Sequence, residues 1–176
     1  VLVTGSARLD YYRKGGDSLF GRHASYRLHP FSLGELDFNE EGLDGLLQFG
    51  GFPEPLFKRD TNFLRLWRRT RNSQVIKDDL RDLERVHEIS LIETLLDLLP
   101  LRVGSPLSVK SIREDLEVSP HSVERWLKIL ENLYFCFRIP PFGSHKIRAV
   151  KKEQKLYLWD WTSIEDVGHR FENLVA

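Results

Sequence analysis

The stretch from Ser108 to Asn132 constrains the fold more than any other, because two helix starts with readable caps stand close together there. Ser108 is placed to accept a hydrogen bond from a first-turn N–H that has no partner inside its helix, and Leu107 and Ile112 are spaced as a hydrophobic staple around it. Val118-Ser119-Pro120 then makes a tight turn, with Ser119 as N-cap and Pro120 at the first helical position, where its missing N–H is harmless. In the helix that follows, Val123, Trp126, Leu127, Leu130, Leu133 and Tyr134 form one apolar face, which leaves His121, Ser122, Arg125, Lys128 and Asn132 mostly on the other. Ser90 and Glu93 read as a capping box for an earlier helix that Pro100 ends. Strand-like runs follow at Phe135–Ile139, Lys146–Val150 and Leu156–Trp161, around the turn Pro140-Pro141-Phe142-Gly143. Three helices followed by a β-hairpin is the plan of a winged helix-turn-helix, expected over residues 90–161 of a chain that is mainly α with small β parts.

Upstream the pattern changes. Val1-Leu2-Val3 suits a buried strand, Thr4-Gly5-Ser6 a turn, and Ser25 to Leu28 a second strand. From Ser32 to Glu54 there are six acids (Glu35, Asp37, Glu40, Glu41, Asp44, Glu54) and no Lys or Arg, and Gly50-Gly51-Phe52-Pro53 breaks the run at its end. A long helix is expected from Thr61 to near Val86, with Asp60 or Thr61 as N-cap and Phe63, Trp67, Ile76, Leu80 and Leu83 near helical period. Asn72-Ser73-Gln74 interrupts that apolar stripe, as a kink or a division into two helices would. The expected organisation is thus a first block over 1–35, an acidic segment and helical linker over 36–89, the winged helix over 90–161 and the start of a further domain over 162–176.

Composition narrows the function. The 26 Lys plus Arg balance the 26 Asp plus Glu, so no whole-chain field draws the protein to DNA or to an anionic surface. One cysteine, Cys136, excludes an internal disulfide framework and suits a reducing cytoplasm; in an alternating apolar strand it reads as a packed residue. No apolar run approaches the roughly 20 residues that cross a bilayer, so no membrane partner is expected and the location expected is cytoplasmic. The histidines show no close ligand spacing, so no metal site is expected. No glycine loop ends in Gly-Lys-Ser or Gly-Lys-Thr, so no cofactor is expected to bind the chain on its own. The absence of methionine and the apolar patterns at both ends suggest an internal piece of a larger protein, whose ends at Val1–Val3 and Phe171–Val175 are expected to promote self-association.

Local charge is informative where net charge is not. Between Arg102 and Lys155 there are eleven basic and six acidic residues. A helix-turn-helix presents the polar side of its second helix to the major groove while basic wing residues meet phosphates. On that plan His121, Ser122, Arg125 and Lys128 face double-stranded DNA and Lys146, Arg148, Lys151 and Lys152 form the wing contact. The competing expectation is a structural or protein-contact module in which these cations pair with the acidic segment or with a partner chain. Arg65, Arg68, Arg69 and Arg71 around Trp67 read as a solvated helix face, with a phosphate-binding stripe as the alternative.

Several ordered motifs then carry a resemblance over nearly the whole chain: Val1-Leu2-Val3-Thr4-Gly5-Ser6-Ala7-Arg8-Leu9, Gly21-Arg22, Leu28-His29-Pro30-Phe31-Ser32-Leu33-Gly34-Glu35, Gly50-Gly51-Phe52-Pro53-Glu54, Asp79-Leu80 and Tyr157 to Asp160 with Trp161. Together they resemble a large prokaryotic family of AAA+ ATPases that carry a C-terminal domain of unknown function. The resemblance implies that Val1–Ser6 is the sensor-1 strand of an ATPase core, with Thr4 or Ser6 near the γ-phosphate, and that Arg22 acts as a sensor or arginine finger. It implies ATP and magnesium as cofactors of the parent protein, while the phosphate-binding loop is not in this chain, so the piece alone is expected to be inactive. Phe171 to Ala176 resembles the opening helix of a restriction-endonuclease-like domain, with Glu172 as its first acid.

Overall fold

The computed structural model describes Thr4, Ala24 and residues 26–75, 86–142 and 154–176, with side chains from residue 89 onward in the helix that begins at Val86. A 3-10 turn at Leu33–Leu36 precedes three α-helices: α1 (Glu40–Phe49), α2 (Pro53–Lys58) and α3 (Thr61–Gln74). Asn39 starts α1 by accepting from the Gly42 N–H, with Glu40 and Glu41 favourably placed in the positive first turn. Asp60 caps α3 through the Asn62 and Phe63 N–H groups, each at 2.8 Å. The α-helical part of α3 ends at Gln74, within the polar interruption. Ile76, Asp79, Leu80 and Leu83 lie outside the described residues.

Helix α4 (Val86–Leu98) runs into a 3-10 turn at Leu99–Arg102. Here one expectation fails. Ser90 lies one turn inside α4, where its carbonyl accepts from the Thr94 hydroxyl at 3.0 Å, so Ser90 and Glu93 do not open the helix. A Ser-x-x-Glu pattern marks a start only where the preceding residues are not already helical.

The next pair matches its sequence signals. Helix α5 (Val109–Leu116) is capped by the Ser108 hydroxyl, which accepts from the Ser111 N–H, and the staple residues Leu107 and Ile112 are both buried. Glu117 turns the chain through a left-handed conformation into α6 (Pro120–Asn132), capped by Ser119. Val123, Trp126, Leu127, Leu130 and Leu133 are buried as expected, but Asn132 is buried too. Strands β1 (Cys136–Ile139) and β2 (Lys155–Leu158) pair antiparallel, from Cys136 opposite Leu158 to Ile139 opposite Lys155. Pro106 bridges to Lys155 as well.

The expected third strand does not reach Trp161: β2 stops at Leu158, and Asp160 caps a 3-10 turn at Trp161–Ser163. Residues 26–28, expected to finish the strand from Ser25 to Leu28, join no ladder. The expected wing strand Lys146–Val150 lies outside the described residues. Helix α7 (Val167–Val175), capped by Asp166, closes the described chain. The protein is therefore mainly α with a small antiparallel sheet. Its core joins Ile92, Leu95 and Leu99 of the α4 region to Ile112 of α5, Trp126, Leu127 and Leu130 of α6, and Leu156 of β2. Each large apolar side chain taken from water there contributes about 1.5–3 kcal/mol before ordering entropy is counted.

Candidate nucleic-acid interface and the junction behind it

Helix α6 presents His121, Arg125 and Lys128 to solvent, while Ser122 is half-buried. The Ser122 hydroxyl shares a 2.9 Å hydrogen bond with that of Ser119 and its N–H donates to the same oxygen, so Ser122 is engaged in starting the helix. Lys128 lies 3.7 Å from Glu131. The two acids of this surface, Glu124 and Glu131, are held by a residue that sequence reasoning missed. Arg138 of β1 donates through Nε to Glu131 at 2.8 Å and through Nη1 to Glu124 at 2.9 Å. Burial works against its charge, yet the hydrogen bonds to both carboxylates raise the guanidinium above its ordinary value. A signal was present: Glu124 and Glu131 stand two turns apart on one helix face, and the strand that returns beside that helix carries one arginine.

The remaining predicted site residues fall elsewhere. Lys146, Arg148, Lys151 and Lys152 lie outside the described residues, as do Ser6 and Arg22. Thr4 is exposed and belongs to no helix or strand. Cys136 is buried, and burial followed by the nearby Glu131 carboxylate pushes its thiol well above the ordinary value, so it packs and does not attack.

The arginines of α3 behave differently from their expected solvated face. Arg68 donates to the Thr162 carbonyl at 2.9 Å, and Arg71 to the Tyr134 carbonyl at 3.0 Å. Arg71 also lies 4.6 Å above the Phe52 ring. Burial lowers its proton affinity, against the attraction of Asp160. Arg65 and Arg69 remain exposed. Two of the four cations therefore satisfy carbonyls in irregular backbone, where no ladder supplies a donor.

The glycine turn and the aspartate after β2, far apart in sequence, meet at this junction. Gly50 takes φ +78°, and a Cβ on Gly51 would stand 2.8 Å from the Phe31 carbonyl oxygen and 2.9 Å from the Trp161 ring. Trp161 Nε1 donates to the Leu46 carbonyl at 2.7 Å, and Asp160 accepts from the Thr162 hydroxyl at 2.6 Å. Beside them is a cleft of about 220 Å³ with an apolar floor of Leu96, Phe135 and Leu158, and with Arg71 and Asp160 in its wall. Among the described residues, no cluster of three or more His, Cys, Asp or Glu is arranged to hold a metal. None of their helices is long and apolar enough to cross a membrane.

Two acids of the acidic segment have partners close by in sequence. Glu41 pairs with Arg59 at 2.6 Å, and Glu54 accepts from Trp67 Nε1. Those partners lie in the same helical unit.

Fold and site together define a mainly α protein in which α6 turns cations outward and the α1–α3 unit is knitted to Tyr134 and to the 3-10 turn after β2. The chain belongs to the family described as domain of unknown function DUF8612, whose model matches residues 40–162, from the first residue of α1 to the 3-10 turn after β2. No curated protein matches the chain. No solved structure matches it either.

Proposed function

We propose that this chain is the non-catalytic middle of a cytoplasmic prokaryotic AAA+ ATPase, and that its α5–α6 unit, as part of a winged helix, contacts double-stranded DNA. The observation that carries the DNA reading is the charge arrangement of α6. His121, Arg125 and Lys128 face outward, while Arg138 engages the two acids that would otherwise repel phosphates. The ATPase reading rests on the sequence resemblance alone: ATP and magnesium belong to the parent, and Thr4, Ser6 and Arg22 are its sensor and arginine-finger candidates.

Fluorescence anisotropy with labelled duplex across a salt series tests the DNA contact. Binding that weakens steeply as salt rises, and that falls at least several-fold in Arg125→Ala with Lys128→Ala, is the expected result. Absence of binding at low salt removes the reading. The second reading, a protein-contact module, is favoured by a different observation: Ile139 is exposed at the end of β1 and Phe142 is fully exposed just beyond it.

For the parent, Arg22→Ala is expected to lower the ATPase rate, and an unchanged rate removes Arg22 from the chemistry.

A further inference from the structure

Helix α7 has its polarity inverted. A helix lying on a protein surface ordinarily turns its apolar stripe inward, but here Val167, Phe171 and Val175, four residues apart, are exposed at 66%, 46% and 64%. Leu174 alone of its apolar side chains packs against the core, and the other residues that reach inward are polar. Asn173 is buried, and its amide bonds both ways to Leu158 of β2: the Leu158 N–H donates to Oδ1 and Nδ2 donates to the Leu158 carbonyl, each at 2.8 Å. Glu172 accepts from Lys155 Nζ at 2.8 Å and from the Tyr157 hydroxyl at 2.9 Å, both on β2. Arg170 donates to the Ile164 carbonyl at 2.7 Å and to that of Leu47, in α1, at 3.4 Å.

One helix therefore grips β2 with two adjacent residues and touches α1 with a third. From these contacts we propose that α7 is a tie-bar: docked, it fixes β2 relative to α1, and on opening it releases both together as one cooperative unit. Polar locks suit that task. Their bonds are directional, so the helix seats in one register, and each is replaced by water when the helix lifts, so the cost of opening is modest compared with tearing an apolar face from the core. The assignment also places Glu172 in a docking contact, with its Oε1 engaged by two donors. It is independent of what α6 binds.

Hydrogen exchange on the full chain tests the proposal. Asn173→Ala is expected to raise exchange several-fold at the bonded amides of α7, at Leu158, and at the C-terminal turn of α1, where the Gly50 N–H bonds to Leu46 O. Amides of α5 should be unchanged. Glu172→Gln, which keeps an acceptor oxygen but loses the charge, should give the same pattern with smaller increases. An increase confined to α7 and Leu158, with α1 unaffected in both variants, overturns the proposal. So does a uniform increase that includes α5, since the unit would then not be separate.

Discussion

Helices α3 and α6 both carry basic residues on an amphipathic stretch, yet they use them in opposite ways. In α3, Arg68 and Arg71 reach into the protein and end on the carbonyls of Thr162 and Tyr134. In α6, Arg125 and Lys128 stay at the surface, and Arg138 of β1 is the cation that holds Glu124 and Glu131. The difference does not come from the arginines themselves. It comes from what lies opposite: α3 faces irregular backbone with carbonyls to satisfy, whereas the inner side of α6 faces apolar core. Charge counted along a sequence therefore says how much is present, while the backbone opposite decides where it goes.

The sharpest way to break this contrast is Arg71→Ala. Loss of a charged donor to a carbonyl at a buried junction should cost about 2–3 kcal/mol in urea unfolding, whereas Arg65→Ala should stay within about 0.5 kcal/mol. Equal costs would mean that Arg71 is no more structural than its exposed neighbours. Gly51→Ala probes the same junction without touching charge. The added Cβ meets the Phe31 carbonyl and the Trp161 ring, and overpacking of this kind costs about 1–3 kcal/mol; an unchanged unfolding midpoint would show that the turn can move aside.

On the α6 side, Ser119→Ala should cost about 1 kcal/mol through the lost cap, while Lys128→Ala should leave stability within about 0.5 kcal/mol. A large stability loss in Lys128→Ala would place that residue with the α3 type.

The smallest effect concerns acid. The hydrogen bond from Lys155, with that from Tyr157, holds the Glu172 carboxyl below the usual carboxylate range, against the opposing effect of burial. A lowered folded value means stability that is complete above the unfolded pKa, about 4.3, and that is lost as pH falls through the folded one. The thermal midpoint of the wild-type chain should therefore approach that of Glu172→Gln as pH drops below about 4. A gap between the two that is constant from neutral pH to about pH 3 would show that Glu172 titrates as it does in the unfolded chain.

The α5–α6 pair was legible because its determinants are local. A serine cap, a staple and a proline at the first helical position each act within one turn, and each is where the sequence put it. The same kind of pattern misled at Ser90, since three residues cannot report that the turn before them is already wound. The burial of Asn132 was not legible either, because helical period gives a face but not the width of what covers it. For the candidate interface, the exposed positions of α6 followed from its apolar stripe, but the role of Arg138 needed the crossing of strand and helix. Likewise the glycine turn and Asp160 were separate marks in the sequence. Nothing at either place announces that Trp161 closes over Gly51, because that contact is made by chain folding back across more than a hundred residues.

The Asn173 amide has a consequence for behaviour in concentrated solution. Leu158 offers its N–H and C=O on the side of β2 away from β1, and a bare pair of this kind is where a strand from a neighbouring molecule adds itself to a sheet. By filling both positions with one side chain, α7 acts as a one-residue mock strand that ends the sheet. A chain that keeps its fold but loses this amide would give itself away by turbidity on storage, as molecules join edge to edge.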